Sequence, residues 1–114
     1  MHEMSIARSL FKLLNEAASK KKAKSITNIS VNVGRFAGVE TELLQRAFEV
    51  LVQGTIAENS ELQITIIDFT LLCKTCGKKT IKDEIDMSCP VCLHTNTTVV
   101  SGQEIFLTDF EITV

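Results

Sequence analysis

Four cysteines constrain this chain more than any other feature. Cys73, Cys76, Cys89 and Cys92 stand in a C-x2-C-x12-C-x2-C pattern within the segment CKTCGKKTIKDEIDMSCPVC. Each C-x2-C turn lets two sulfurs converge on one ion, and two such turns complete a tetrahedron around Zn(II). Gly77 follows the first pair, where a tight turn helps backbone N–H groups approach the thiolates. The twelve-residue separator is long enough for a short hairpin. Four thiolates fill the coordination sphere and leave no position for an activated water, so the expected zinc is structural rather than catalytic. Redox-active dithiols are the rival reading. They call for an active-site helix after a C-x-x-C in a βαβ context, and the pattern offers none.

Segment 73–98 carries few large apolar residues: Ile81, Ile85, Met87, Val91 and Leu93. It cannot form a core alone, so metal binding is expected to supply much of its folding free energy. Without zinc it should loosen while the rest of the chain survives.

The rest reads as one α+β domain. From Ser5, a candidate N-cap, Ala7, Leu10, Phe11, Leu14 and Ala18 recur at helical spacing, with Ile6, Leu13 and Ala17 on the flank. Lys20, Lys21, Lys22 and Lys24 mark the far end, where positive charge suits the helix dipole. In ITNISVNVG, Ile29, Val31 and Val33 alternate with Asn28, Ser30 and Asn32, a half-buried strand ended by Gly34. Thr41 is a candidate N-cap for a second helix through Leu43, Leu44, Ala47, Phe48, Val50 and Leu51, stopped by Gly54 at C′. ELQITIIDFTLLC reads as a second strand whose apolar phase switches between Ile66 and Ile67, a bulge or burial on both faces. QEIFLTDFEITV is the last strand, with Phe106, Phe110 and Ile112 on one face. The expected architecture is two helices packed on one face of a small three-stranded sheet, with the four-cysteine zinc module inserted between two strands. Residues 1–72 and 99–114 would form the α+β body and 73–98 the module.

Net charge is −2, which argues against a strong electrostatic grip on nucleic acid. No run of about 20 apolar residues suggests a membrane span. Glu3 stands where a signal peptide needs a basic region, and Arg8, Ser9 and Lys12 interrupt the apolar stretch, so no signal peptide is expected. A reducing, cytoplasmic location follows, and it favours metal ligation over disulfides for the cysteines.

The chain has two histidines, and one of them is His2. In Met1-His2-Glu3, the Met1 amine and the His2 amide nitrogen can close a five-membered ring on a metal. The His2 amide and Nδ1 close a six-membered ring. The Glu3 amide, or a carboxylate, can supply the fourth corner. Such a planar, nitrogen-rich set suits Ni(II) or Cu(II). From the residues alone, an incidental terminal histidine is the simpler reading of His2, and a favourable acid before a helix the simpler reading of Glu3.

A resemblance changes that balance. MHEMSIARSL, VGRFAGVE, ELLQRAFEVLVQGTIAENSEL, the two C-x2-C pairs and SGQEIFLTDFEI together resemble the hydrogenase nickel-maturation factors of the HypA/HybF family, in register from Met1 to the final strand. The resemblance implies a small α+β metallochaperone, not an enzyme. It implies Ni(II) as transported cargo, bound by His2 with the Met1 amine and the Glu3 backbone. It implies structural Zn(II) on Cys73, Cys76, Cys89 and Cys92. The implied partners are a nickel-handling maturation GTPase and the large subunit of [NiFe]-hydrogenase, with the chain acting as monomer or homodimer. In one respect the chain departs from the pattern. Some members place histidine directly after a C-x2-C pair, whereas here Gly77 and Leu93 hold those places and His94 comes one residue later. His94 is read as a surface residue, a neighbour of the zinc ligands or a transient nickel ligand.

The rival from another class is a zinc-ribbon interaction module that binds nucleic acid or protein. Lys74, Lys78, Lys79 and Lys82 favour it. Asp83, Glu84 and Asp86 follow at once, and the segment lacks aromatic residues for base stacking.

Overall fold

The structure is a computed structural model and describes residues 3–114. Its elements run α1 (Glu3–Lys20), β1 (Ser25–Gly34), α2 (Thr41–Leu51), β2 (Glu61–Ile67), β3 (Phe69–Cys73), β4 (Lys79–Lys82), β5 (Thr97–Ser101) and β6 (Ile105–Thr113). They form two compact units. The first contains the described residues up to Asn32, with Val39–Thr65 and Phe106–Val114; the second contains Val33–Gly38 and Ile66–Ile105.

In the first unit, α1 buries Ala7, Leu10, Leu14 and Ala18, the stripe its spacing predicts. The helix begins at Glu3, so Ser5 lies inside the first turn and is not the cap. It ends on Lys22, which takes a left-handed φ of 54° while the Ala23 N–H reaches back to the Ala18 carbonyl at 3.1 Å. That 6→1 bond is a Schellman closure with lysine in the usual glycine place. Strand β1 buries Ile29, Val31 and Val33 and leaves Asn28, Ser30 and Asn32 half-buried, as the alternation predicts. Helix α2 packs against α1 and buries Leu44 and Phe48. Its cap is Glu40, one residue before the expected Thr41, because Glu40 holds the extended backbone (φ −80°, ψ 109°) and Thr41 is already helical. The helix closes at Val52, so Gly54 turns the chain one residue later than expected. Leu43 and Val50, expected on the inner face, are exposed. The apolar arc of this three-turn helix is narrower than its hydrophobic residues suggest.

The helices accompany a three-stranded sheet in the order β2-β1-β6, so the α+β architecture with two helices and a small sheet holds. The last strand departs from its reading. Phe106 is 54% exposed while Phe110 and Ile112 are half-buried, and the burial phase shifts across Thr108 and Asp109. A face shared along the whole strand therefore does not exist.

The second unit is a sheet of its own, with β3 between β4 and β5 and both pairings antiparallel. The stretch expected as one strand is two. It breaks at Asp68, and its halves join different sheets. The phase switch at Ile66–Ile67 marks that change of sheet rather than a bulge. Nor does the separator between the cysteine pairs form a hairpin by itself: β4 pairs back onto β3, around the first cysteine pair. The ladder runs Thr70 opposite Ile81, Leu71 opposite Thr80 and Leu72 opposite Lys79. On the other side, Cys73 lies opposite Thr97.

The base of this unit is backbone against backbone. Gly34 donates its N–H to Glu104, Arg35 to Ile67 and Phe36 to Gly102, each at 2.8 Å. A Cβ on Gly34 would lie 2.3 Å from the Gly102 carbonyl carbon, and a Cβ on Gly102 2.4 Å from the Phe69 Cα. Only glycine permits that approach, and Gly102 also needs its φ of 105°. Phe36 and Phe69 meet edge-on with centroids 5.2 Å apart.

Candidate metal centre

Each cysteine pair sits in a turn built by the same two backbone bonds. In the first, the Cys73 N–H donates to the Lys78 carbonyl at 2.9 Å and the Gly77 N–H to the Cys73 carbonyl at 2.8 Å. In the second, the Cys89 N–H donates to the His94 carbonyl and the Leu93 N–H to the Cys89 carbonyl, both at 2.8 Å. The offsets along the chain are identical, so the two turns are copies of one device. The residue after each second cysteine is left-handed, Gly77 at φ 74° and Leu93 at φ 65°. Glycine adopts this region freely, whereas leucine pays a Cβ–carbonyl clash of about 1–2 kcal/mol.

The two turns bring the four Sγ atoms within 4.8 Å of one another. Cys73 and Cys92 are 3.5 Å apart, and Cys76 and Cys89 3.7 Å. A tetrahedral ion with metal–sulfur bonds of about 2.3 Å needs sulfurs about 3.8 Å apart. The set therefore fits one tetrahedral thiophilic ion with little movement. Cys73 and Cys89 are buried, Cys92 is half-buried and Cys76 is exposed.

The thiols are unequal. The Cys76 backbone N–H, 3.4 Å from the Cys73 sulfur, is the main reason Cys73 ionises near pH 6, well below an ordinary thiol. Cys89 is lowered for the same kind of reason, by the backbone N–H of Cys92. The N–H groups of Lys78 and His94 likewise favour thiolates on Cys76 and Cys92. There they are outweighed by desolvation and neighbouring cysteines, which raise Cys76 and push Cys92 up to about 12. Four adjacent negative charges need a cation among them. With a divalent ion in place, all four thiols become thiolates.

At the other candidate site, Met1 and His2 lie outside the described residues. Glu3 is the first residue of α1, and its Oε2 accepts the N–H of Glu40, the α2 cap, at 3.3 Å. His94 is exposed and belongs to no group of metal-ligating side chains among the described residues; the four cysteines are the one such group. Of the lysines in the segment, Lys74, Lys78 and Lys79 are exposed, whereas Lys82 is turned inward to Asp86 and the Ser88 carbonyl. The sequence reading missed Glu40 and the Lys82–Asp86–Ser88 group. An Asp two residues before a Ser, just ahead of a cysteine pair, was the available signal for the latter.

Residues 1–112 match the family model described as hydrogenase/urease nickel incorporation, metallochaperone, hypA. The hydrogenase maturation factor HypA of Aquifex aeolicus is 42% identical over 114 residues, covering 100% of this chain and 99% of that protein. The factor of the same name from Prosthecochloris aestuarii is 37% identical over 105 residues, covering 92% and 93%. Among solved structures, the solution structure of the Ni metallochaperone HypA from Helicobacter pylori superposes with a TM-score of 0.72 at 28% identity, covering 99% of this chain and 98% of that one.

Proposed function

The chain belongs to the HypA family of hydrogenase/urease nickel-incorporation metallochaperones, and on that footing we propose that it carries Ni(II) at its amino terminus while its four cysteines hold structural Zn(II). It is a carrier rather than an enzyme. One observation carries the assignment of two separate metals: the cysteine site is a closed set of four sulfurs. A closed tetrahedral thiolate shell suits Zn(II), which has no geometric preference of its own, and it exchanges poorly. Cargo must load and leave, so it calls for a different, open site.

The open site is Met1-His2-Glu3. The Met1 amine, the His2 amide and imidazole, and the Glu3 amide offer four nitrogens to a planar Ni(II). Glu3 contributes through its backbone, while its carboxylate accepts the Glu40 N–H at 3.3 Å. Every nitrogen in this set must shed a proton to bind. An unperturbed imidazole titrates at about 6.5 and an α-amine at about 7.7–8.0, so protons compete with nickel from about pH 8 downward. Transfer is ligand exchange. A donor passes Ni(II) to this shallow chelate, and the thiolates of the [NiFe]-hydrogenase large subunit take it in the cytoplasm, with a nickel-handling maturation GTPase as partner.

The test is a metal inventory of untagged protein with the native terminus. His2→Ala should abolish specific nickel binding and leave one equivalent of zinc and the helix content unchanged. Nickel affinity close to that of the parent by calorimetry would remove His2 from the site.

A further inference from the structure

The residue before Cys89 is held by every polar atom it has. The Ser88 N–H donates to Asp86 Oδ1 at 3.0 Å, and its hydroxyl to Asp86 Oδ2 at 2.9 Å. Its carbonyl accepts a bond from Lys82 Nζ at 2.9 Å, and the same ammonium reaches Asp86 Oδ2 at 3.3 Å. Lys82 is the last residue of β4, opposite Phe69 on β3, and its side chain is only 12% exposed. The neighbouring Met87 carbonyl accepts the hydroxyl of Thr97, the first residue of β5. The Cys89 N–H is then taken by the His94 carbonyl. So the chain reaches Cys89 through a loop with no regular structure, yet arrives with its backbone fixed on both sides of the ligand.

This contrasts with Cys73, which needs no such help because it ends a strand paired on both sides. An ammonium withdrawn from water is costly unless its protons are bonded, and Lys82 directs its bonds to this loop alone among the described residues. Asp83, next to Lys82 in sequence, plays no part: it is largely exposed and pairs outward with Arg35 at 3.0 Å.

We propose that Lys82 and Asp86 clasp Ser88 to position Cys89, and that this clasp sets how slowly the four-thiolate site gives up its metal. The proposal rests on the reading of the cysteines as one closed metal site. Groups that orient a ligand commonly govern metal affinity by 10–100-fold when removed. Here the orienting groups act through the backbone of the residue before the ligand, so they are positioning residues.

The experiment follows zinc transfer from the full, zinc-loaded chain to excess 4-(2-pyridylazo)resorcinol. Cobalt-substituted samples report by their thiolate charge-transfer band whether four sulfurs still bind. Asp86→Ala and Lys82→Met should each speed transfer about tenfold or more with the cobalt band retained. Together they should be no faster than the faster single variant, since both break one clasp. Asp86→Asn keeps an acceptor for the Ser88 N–H and should fall between parent and Asp86→Ala. Asp83→Ala, in the same loop, should leave the rate within about twofold of the parent. Rates for Asp86→Ala and Lys82→Met within about twofold of the parent would overturn the clasp, as would an equal acceleration by Asp83→Ala. Should Lys82→Met fail to fold, the Asp86→Asn and Asp86→Ala pair decides: identical parent-like rates overturn the proposal. A parent without the thiolate-to-cobalt band would overturn the four-thiolate reading, and the clasp with it.

Discussion

In the helix–sheet unit, Leu10 and Leu14 of α1, Leu44 and Phe48 of α2, and Ile26, Ile29 and Val31 of β1 all lie in the interior. In the cysteine unit only Val33, Phe69 and Leu71 do, beside Cys73 and Cys89, while Ile81, Ile85, Val91, Leu93 and Val100 remain in the open. The first unit is closed by apolar burial, at roughly 1.5–3 kcal/mol for each large side chain. The second has too little of that to order its loops, and its buried positions include two of the four ligands. A metal that closes a unit cannot be given away without opening it. The cargo site we propose is accordingly placed outside that unit, at Met1-His2-Glu3.

The largest test of this contrast removes a ligand. Cys76→Ser should lower zinc affinity severely and loosen the cysteine unit, since zinc supplies on the order of 10 kcal/mol in small zinc domains. Amide exchange should rise in β3, β4 and β5 and stay slow in α1 and β1. One full equivalent of tightly bound zinc, with an unaltered thermal transition, would break the account.

A smaller effect probes the base of the same unit. Gly102→Ala sets a Cβ against the Phe69 Cα and forces alanine to φ 105°. It should cost about 3 kcal/mol or more, read as a lowered midpoint in chemical denaturation. A midpoint equal to the parent's would show that the backbone opens at Gly102 without cost.

The smallest effect compares the two cysteine turns with each other. Leu93 is 78% exposed and left-handed where the first turn has glycine. Leu93→Gly loses no packing and relieves about 1–2 kcal/mol of strain, offset by about 0.5–1 kcal/mol of unfolded-chain entropy. A net gain of about 0.5–1 kcal/mol is expected in the zinc-loaded protein. Gly77→Leu should lose a similar amount. Destabilisation by Leu93→Gly would mean that the leucine side chain does something the structure does not display.

Much of this was legible in the chain because the signals are local. The β1 alternation at Ile29, Val31 and Val33 and the α1 stripe follow from period alone. The cysteine turns follow from spacing, since each is made of bonds within six residues. What was missed depends on partners distant in sequence. Nothing near Asp68 says that Phe69–Cys73 will pair with Lys79–Lys82 and Thr97–Ser101 instead of extending β2. Glu40 displaces Thr41 as the α2 cap although its side chain makes no cap bond, and its N–H goes to Glu3, 37 residues earlier. Leu43, Val50 and Phe106 look like core by composition, but the small sheet leaves them uncovered.

In the proposed function, nickel is held by the terminus itself, apart from the cysteine site. The deciding experiment is a nickel titration of untagged protein with a free Met1 amine beside the same protein acetylated at that amine. Acetylation turns the Met1 amine into an amide and removes the terminal donor of the chelate, while every side chain stays in place. The acetylated chain should lose high-affinity nickel binding and keep one zinc on its four cysteines. Equal nickel affinity in both proteins would contradict it and place the cargo elsewhere in the chain.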